Sequence, residues 1–168
     1  MKILTADAIR LLGLVMGLSC SLSVGAGNTA TQRITYSVQE ATRISVSGDP
    51  APMVVVAATP GAEPIPVTEA STRYSIASNA GENSKKITAS IDRDLPAGVL
   101  LEVELAPPDA NATSTKRALS RQATDLVTNI DNVAATDKAI TYTLRAGATA
   151  QGLSGDSLLV TYTVTNQI

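Results

Sequence analysis

The sequence contains no histidine, tryptophan or phenylalanine, and its single cysteine is Cys20. A chain without histidine lacks the commonest general base and the commonest metal ligand of proteins. With one cysteine it cannot close a disulfide within itself. We therefore predict no catalytic residue, no metal site and no cofactor, and we expect core packing and sheet hydrogen bonds to hold the fold.

An excess of charge of one sign is also lacking, because 13 basic and 15 acidic residues give a net charge of −2. Proteins that bind nucleic acid neutralise phosphates with clustered lysine and arginine. The sequence therefore predicts no nucleic-acid partner. With 44% apolar and 17% charged residues, the 168-residue chain has the composition of one globular domain.

Residues 1–26 have the pattern of a cleaved secretory signal peptide. Lys2 and Arg10 give the start a positive character, an apolar stretch follows, and short side chains lead to Ala26, after which we place the cleavage site. The apolar stretch falls short of the roughly 20 residues that a membrane-spanning helix needs. We therefore predict export to the periplasm, the cell surface or the extracellular space.

Cys20 follows Leu18 and Ser19, a sequence that partly resembles the lipobox at which bacterial lipoproteins are acylated. Lipidation of Cys20 is therefore an alternative to a cysteine that is discarded with the leader. In both cases we expect contact with a membrane only through the leader or through a lipidated Cys20.

After a flexible, polar lead-in over residues 27–32, apolar and polar residues alternate with a period of two. Glycine, proline and asparagine separate these runs, as in short strands joined by turns. We predict one all-β domain over residues 33–168, an Ig-like or pilin-like β-sandwich of about seven to nine antiparallel strands. Residues 59–70, with three prolines, predict a loop or a ragged sheet edge. The strands are expected near residues 34–38, 44–46, 53–57, 74–76, 87–91, 101–105, 126–130, 140–144 and 160–164, with a helical turn over 121–127 as an alternative.

Two pairs of carboxylates stand close together in the sequence. Asp92 and Asp94 lie at a turn, but the further ligands of a calcium loop are missing, so we expect local charge pairing in a solvated turn. Glu102 and Glu104 alternate with apolar residues of one strand, so they should lie opposite the core rather than flank a substrate. A hydrolase that uses such carboxylates is the third functional hypothesis, after two that involve no catalysis.

Ser84-Lys85-Lys86 is the nearest approach to a serine nucleophile with a lysine base, but it lacks the Ser-x-x-Lys spacing. We expect its two lysines to keep an edge strand soluble. The four tyrosines all fall on the apolar phase of their strands, so we expect them to pack in the core with their hydroxyls hydrogen-bonded. They are Tyr36, Tyr74, Tyr142 and Tyr162.

Several segments resemble bacterial secreted β-sandwich proteins of the fimbrial-subunit and spore-coat-U kind. They are residues 34–38 (ITYSV), 86–90 (KITAS), 94–98 (DLPAG) and 160–165 (VTYTVT), and they follow a short leader. Gly155 also stands fourteenth from the C-terminus, where chaperone–usher pilins carry a glycine. The resemblance implies assembly by β-strand addition, in which an N-terminal extension of one subunit completes the sheet of the next.

The candidate donor strand is then residues 31–38, with Ile34, Tyr36 and Val38 as the inserted side chains. The alternative, which is the preferred interpretation, is that this segment pairs within its own domain as the first strand. The sequence alone leaves both arrangements open.

Together these features predict an exported, non-enzymatic structural or adhesive surface protein, such as a fimbria-like or coat subunit assembled by β-strand addition. Its expected partners are copies of itself or a surface partner protein. The alternative, from a different functional class, is a monomeric periplasmic or secreted β-sandwich module that binds a carbohydrate or a partner protein.

Overall fold

The computed structural model describes residues 29, 31–56, 60–79, 81, 83–150 and 155–167. The chain divides into two compact units, Met1–Ser37 and Val38–Ile168. The predicted signal peptide, with Cys20 and the cleavage site after Ala26, lies outside the described residues. None of the described residues belongs to a helix long and apolar enough to cross a membrane.

In the described part of the second unit, ten strands form two antiparallel sheets, which confirms the predicted all-β class and the β-sandwich. Three of the strands have only two or three residues, which accounts for the excess over the predicted number. The strands are β1 (Thr42–Ser47), β2 (Val67–Glu69), β3 (Arg73–Ser78), β4 (Lys85–Ile91), β5 (Val99–Leu105), β6 (Thr113–Ser114), β7 (Arg117–Ala118), β8 (Thr124–Ile130), β9 (Val133–Ala146) and β10 (Val160–Asn166).

The first sheet has the order β1-β3-β9-β5-β7, and the second has the order β10-β4-β8-β6. The 14-residue strand β9 is the longest, and it organises the first sheet. Its first half pairs with β3, and its second half pairs with β5 on one side and with β2 on the other. β1 and β10 therefore end their respective sheets, and each is paired on one side only among the described residues.

The hydrophobic core lies between the two sheets and follows from the alternation of side chains along each strand. In β5, Leu101, Val103 and Leu105 are buried, whereas Glu104 between them is exposed. Truncating one large core side chain typically costs about 2–5 kcal/mol. The largest fully buried side chains are Tyr74, Ile87, Val103, Leu105, Leu126, Val127, Ile130 and Ile140.

Hydrogen bonds also join the two sheets. The hydroxyls of Tyr142, on β9, and Tyr162, on β10, lie 2.8 Å apart. The short strands β6 and β7 follow each other along the chain but belong to different sheets, so this part of the chain crosses the sandwich. Just after it, the carbonyl of Ser120 accepts a hydrogen bond from the main-chain nitrogen of Ile91, on β4, at 2.9 Å.

Two predicted strands are wrong. Residues 31–41 contain no strand, so the strand expected at residues 34–38 is not formed, and neither is the preferred first strand of the domain. Residues 51–56 also contain no strand. Conversely, Val67–Glu69 pairs with β9 inside the predicted proline-rich loop, and β8 is a strand where a helical turn was the alternative. In each case, whether the segment forms a strand depends on the availability of a neighbouring strand to pair with, and not on the local alternation of apolar and polar residues.

Three of the four tyrosines behave as predicted. Tyr74 and Tyr142 are buried and Tyr162 packs against the core, but Tyr36 is 86% exposed, so its predicted core position is wrong. Burial raises the pKa of the Tyr74, Tyr142 and Tyr162 hydroxyls above the ordinary value.

We expect the free energy of unfolding to fall as the pH rises above about 10, the pKa of tyrosine in an unfolded chain. The folded protein holds these three protons more tightly than the unfolded chain does. The stabilisation is therefore fully present below that pH and is lost above it. Urea titrations at increasing pH, with tyrosinate absorbance recorded in parallel, measure the effect. Tyr162→Phe should reduce the slope, and ionisation of the buried tyrosines before unfolding would contradict the prediction.

Candidate functional site

Among the residues that the structure describes, no strand pairs with the outer side of β10. Its pairing with β4 is continuous from Val160 opposite Ile91 to Asn166 opposite Lys85. At the two ends of this ladder, the nitrogen of Asp92 donates to the carbonyl of Leu159 at 3.1 Å, and the nitrogen of Gln167 donates to the carbonyl of Ser84 at 2.8 Å.

Hydrogen-bonded and non-hydrogen-bonded pairs alternate along an antiparallel ladder. Since residues 159 and 167 hydrogen-bond toward β4 and its flanks, the odd-numbered residues between them do so as well. The main-chain N–H and C=O groups of Val160, Tyr162 and Val164 consequently face away from β4. We call these groups the β10 edge.

The β10 edge lacks the usual protection of an exposed strand. Natural edge strands are blunted by lysine, proline, a bulge or very short length. β10 has seven residues, Val-Thr-Tyr-Thr-Val-Thr-Asn, without a charge, a proline or a register shift. Its apolar side chains are half-buried against the core and its threonines are exposed. An additional strand beside β10, with its apolar side chains on the core side of the sheet, would continue this alternation of apolar and polar side chains.

The other sheet edges suit an additional strand less well. β1 carries the charged Arg43 as its second residue, and β6 and β7 have two residues each. Because a strand of two residues offers few main-chain groups for pairing, β10 is the longest uncharged edge in the part of the chain that the structure describes.

The predicted donor residues are strongly exposed. Ile34 is 76%, Tyr36 86% and Val38 81% exposed, and no strand includes them. Thr35 and Ser37 separate them, so in an extended chain the three apolar side chains would share one side. We call residues 31–38 the N-terminal segment.

A second exposed apolar stretch lies where the strand at residues 53–57 was predicted. Val54 is 67% and Val56 64% exposed. Pro50 and Pro52 stand immediately before this stretch, and proline removes the main-chain donor that a paired strand needs. The N-terminal segment contains no proline, so it is the better candidate for strand pairing.

Lys85 occupies a position that the sequence did not indicate. β4 lies inside its sheet between β10 and β8, so the prediction that Lys85 and Lys86 protect an edge strand is wrong. Lys85 is only 6% exposed, and its Nζ donates to Oε1 of Glu40 and, at 2.6 Å, to Oδ1 of Asn166. Lys86 instead contacts Asp125 at 3.1 Å. We call Lys85, Glu40 and Asn166 the Lys85 cluster.

The main chain around Glu40 is held by Asn79. The side-chain amide of Asn79 donates to the carbonyl of Gln39 at 2.8 Å, and its side-chain oxygen accepts from the nitrogen of Ala41. The main-chain nitrogen of Asn79 donates to the carbonyl of Ala41 at 3.2 Å. These bonds place Glu40 beside the C-terminal end of β10.

The carboxylates singled out in the sequence take part in local ion pairs. Glu102 accepts a hydrogen bond from Arg145 at 2.8 Å and lies 3.5 Å from Lys116. The Arg145 guanidinium holds the pKa of Glu102 below its usual range. Glu104 is exposed, so both glutamates lie on the face opposite the core, as predicted.

Asp92 and Asp94 are exposed, and each has its own partner. Asp92 accepts from the main-chain nitrogen of Leu159 at 2.9 Å, and Asp94 lies 3.9 Å from Arg121. Among the residues that the structure describes, no group of three or more acidic, histidine or cysteine side chains converges as a metal site would require.

Two shallow depressions of about 290 and 380 Å³ lie along β1, β3 and β9. Their lining consists mostly of small residues, together with Arg43. Compared with known proteins, the sequence matches no protein-family model and no curated protein. The geometry of the β10 edge, the N-terminal segment and the Lys85 cluster therefore carries the functional argument.

The β10 edge has a direct test by amide hydrogen exchange. In the monomer, the amide protons of Tyr162 and Val164 should exchange roughly tenfold faster, or more, than those of Thr161 and Thr163, because only the latter bond to β4. Exchange followed residue by residue by NMR measures the difference. Equal protection along the whole strand would show that another part of the chain covers this edge.

Proposed function

We propose that this chain is an exported, non-enzymatic structural subunit that assembles with copies of itself by β-strand addition. The N-terminal segment of one copy pairs with the β10 edge of the next. The observation that carries the proposal is that, among the described residues, an alternating apolar segment without a strand partner coexists with an uncharged sheet edge that has no further strand beside it.

The chemistry of the two partners matches. β-strand addition needs main-chain donors and acceptors on the receiving edge and alternate apolar side chains on the incoming strand. The β10 edge supplies the former at residues 160, 162 and 164. Ile34, Tyr36 and Val38 supply the latter, and their side chains would extend the half-buried apolar row of β10.

The free energy of strand addition requires both the burial of apolar side chains and the main-chain hydrogen bonds. Burying one such side chain contributes about 1.5–3 kcal/mol, whereas ordering the backbone of one residue costs about 1–2 kcal/mol. Three buried side chains therefore do not offset the ordering of an eight-residue segment by themselves. The main-chain hydrogen bonds of the added strand must contribute, which favours an edge as regular as that of β10.

The donor is tested by charge substitution at alternate positions. Ile34→Asp or Tyr36→Asp should weaken self-association of the exported protein about tenfold to a hundredfold, as the loss of one buried apolar side chain predicts. Thr35→Asp and Ser37→Asp are the matched controls, because they lie on the other side of the strand. Size-exclusion chromatography over a range of concentrations, with unheated SDS gels, measures assembly.

A monomer at all concentrations would contradict the proposal. It would favour instead the monomeric module that binds a carbohydrate or a partner protein. Assembly that responds equally to substitutions on both sides of the segment would exclude strand pairing as its mechanism.

The acceptor is tested by a proline in the β10 edge. Val164→Pro removes an N–H that faces away from β4, so the monomer should keep its fold while losing the ability to add a strand. Circular dichroism verifies the fold, and chromatography measures assembly. Unchanged assembly of a folded Val164→Pro variant would place the acceptor elsewhere.

A further inference from the structure

The Lys85 cluster brings a nucleophile, an electrophile and a proton acceptor together. The Lys85 side chain is only 7% exposed, whereas that of Glu40 is 51% exposed. The amine nitrogen of Lys85 touches a carboxylate oxygen of Glu40 and the side-chain carbonyl oxygen of Asn166. A lysine amine becomes a nucleophile once a neighbouring base removes its proton.

The strand pairing places the side chains of two of these residues opposite each other. Lys85 and Asn166 are register partners at the end of the β4–β10 ladder. They form a non-hydrogen-bonded pair, in which opposite side chains lie closest. The Nζ of Lys85 lies 2.6 Å from Oδ1 of Asn166, and the carboxamide carbon is at most one C=O bond, about 1.2 Å, further away. This is close to the separation of a reactive pair, about 3–3.5 Å.

We propose that Lys85 and Asn166 form an intramolecular amide cross-link, with Glu40 as the proton carrier. Glu40 takes a proton from the Lys85 ammonium, and the free amine attacks Cγ of Asn166. Glu40 passes this proton to Nδ2, and a second proton follows the same route from Nζ to Nδ2 as the C–Nδ2 bond breaks. The products are an Nζ–Cγ amide and one ammonium ion, so the neutral mass falls by one ammonia; the reaction involves no oxidant or reductant, and Glu40 regains its starting state.

The cross-link has a clear structural consequence. β10 is an edge strand held by one neighbour, and the chain has no cysteine pair with which to secure it. An amide between the ends of β4 and β10 closes a long loop of the chain and lowers the conformational entropy of the unfolded state, as a disulfide does. The inference rests on the Lys85 cluster alone and is independent of the proposed assembly.

Intact-mass spectrometry of the folded, full-length exported protein tests the proposal. We expect a mass lower than the sequence mass by one ammonia, and tandem spectra that contain Lys85 and Asn166 in one linked peptide. Trypsin should leave the bond after Lys85 uncut. A folded protein with the full mass would overturn the proposal.

Substitutions separate the cross-link from other reactions that release ammonia. Lys85→Arg and Asn166→Ala should each restore the full expected mass, whereas Lys86→Arg, the matched control, should still lose ammonia. Loss that persists in Lys85→Arg would indicate cyclisation of an asparagine and would overturn the proposal. Glu40→Gln preserves the shape of the cluster and should remain unlinked, and a fully linked Glu40→Gln protein would remove Glu40 from the mechanism.

Discussion

The pairing of β10 with β4 is the interaction on which the other features of this molecule depend. Its unbroken register decides which side chains of β10 face the core, and the same alternation turns the main-chain groups of Tyr162 and Val164 outward. It also sets Lys85 opposite Asn166. A shift of this register by one residue would expose the apolar side chains of β10 and move Asn166 away from Lys85. The same ladder therefore fixes the core-facing side chains of β10, its outward-facing main-chain groups and the Lys85 cluster.

Packing, rather than charge, holds the sandwich together. Most ion pairs join exposed or half-exposed side chains, as for Arg73 and Asp137 or Arg121 and Asp94. Exposed pairs of this kind contribute about 0–1 kcal/mol each. The buried aliphatic residues and the tyrosine pair between the sheets carry the larger share. Lys85 differs from the other charged groups because its amine is withdrawn from water between two polar side chains.

The sequence correctly predicted the strands that bury one row of side chains, and it wrongly predicted strands at residues 34–38 and 53–57. β4, β5 and β10 lie where their period of two placed them, because each buries one row of side chains. Residues 34–38 show the same period, but no strand includes them. A period of two indicates only that an extended chain would have an apolar side. Whether a neighbouring strand is present to cover that side is a property of the fold.

By itself, the sequence determined the all-β class, the buried faces of the strands that pack on the core, and the absence of histidine, tryptophan and phenylalanine. These follow from composition and local alternation, which act over a few residues. Only the tertiary structure decided that β4 is internal, that β10 ends its sheet, and that Glu40, Lys85 and Asn166 meet. Sheet order and register depend on pairing between strands far apart in the chain, and no local pattern encodes which strands will pair.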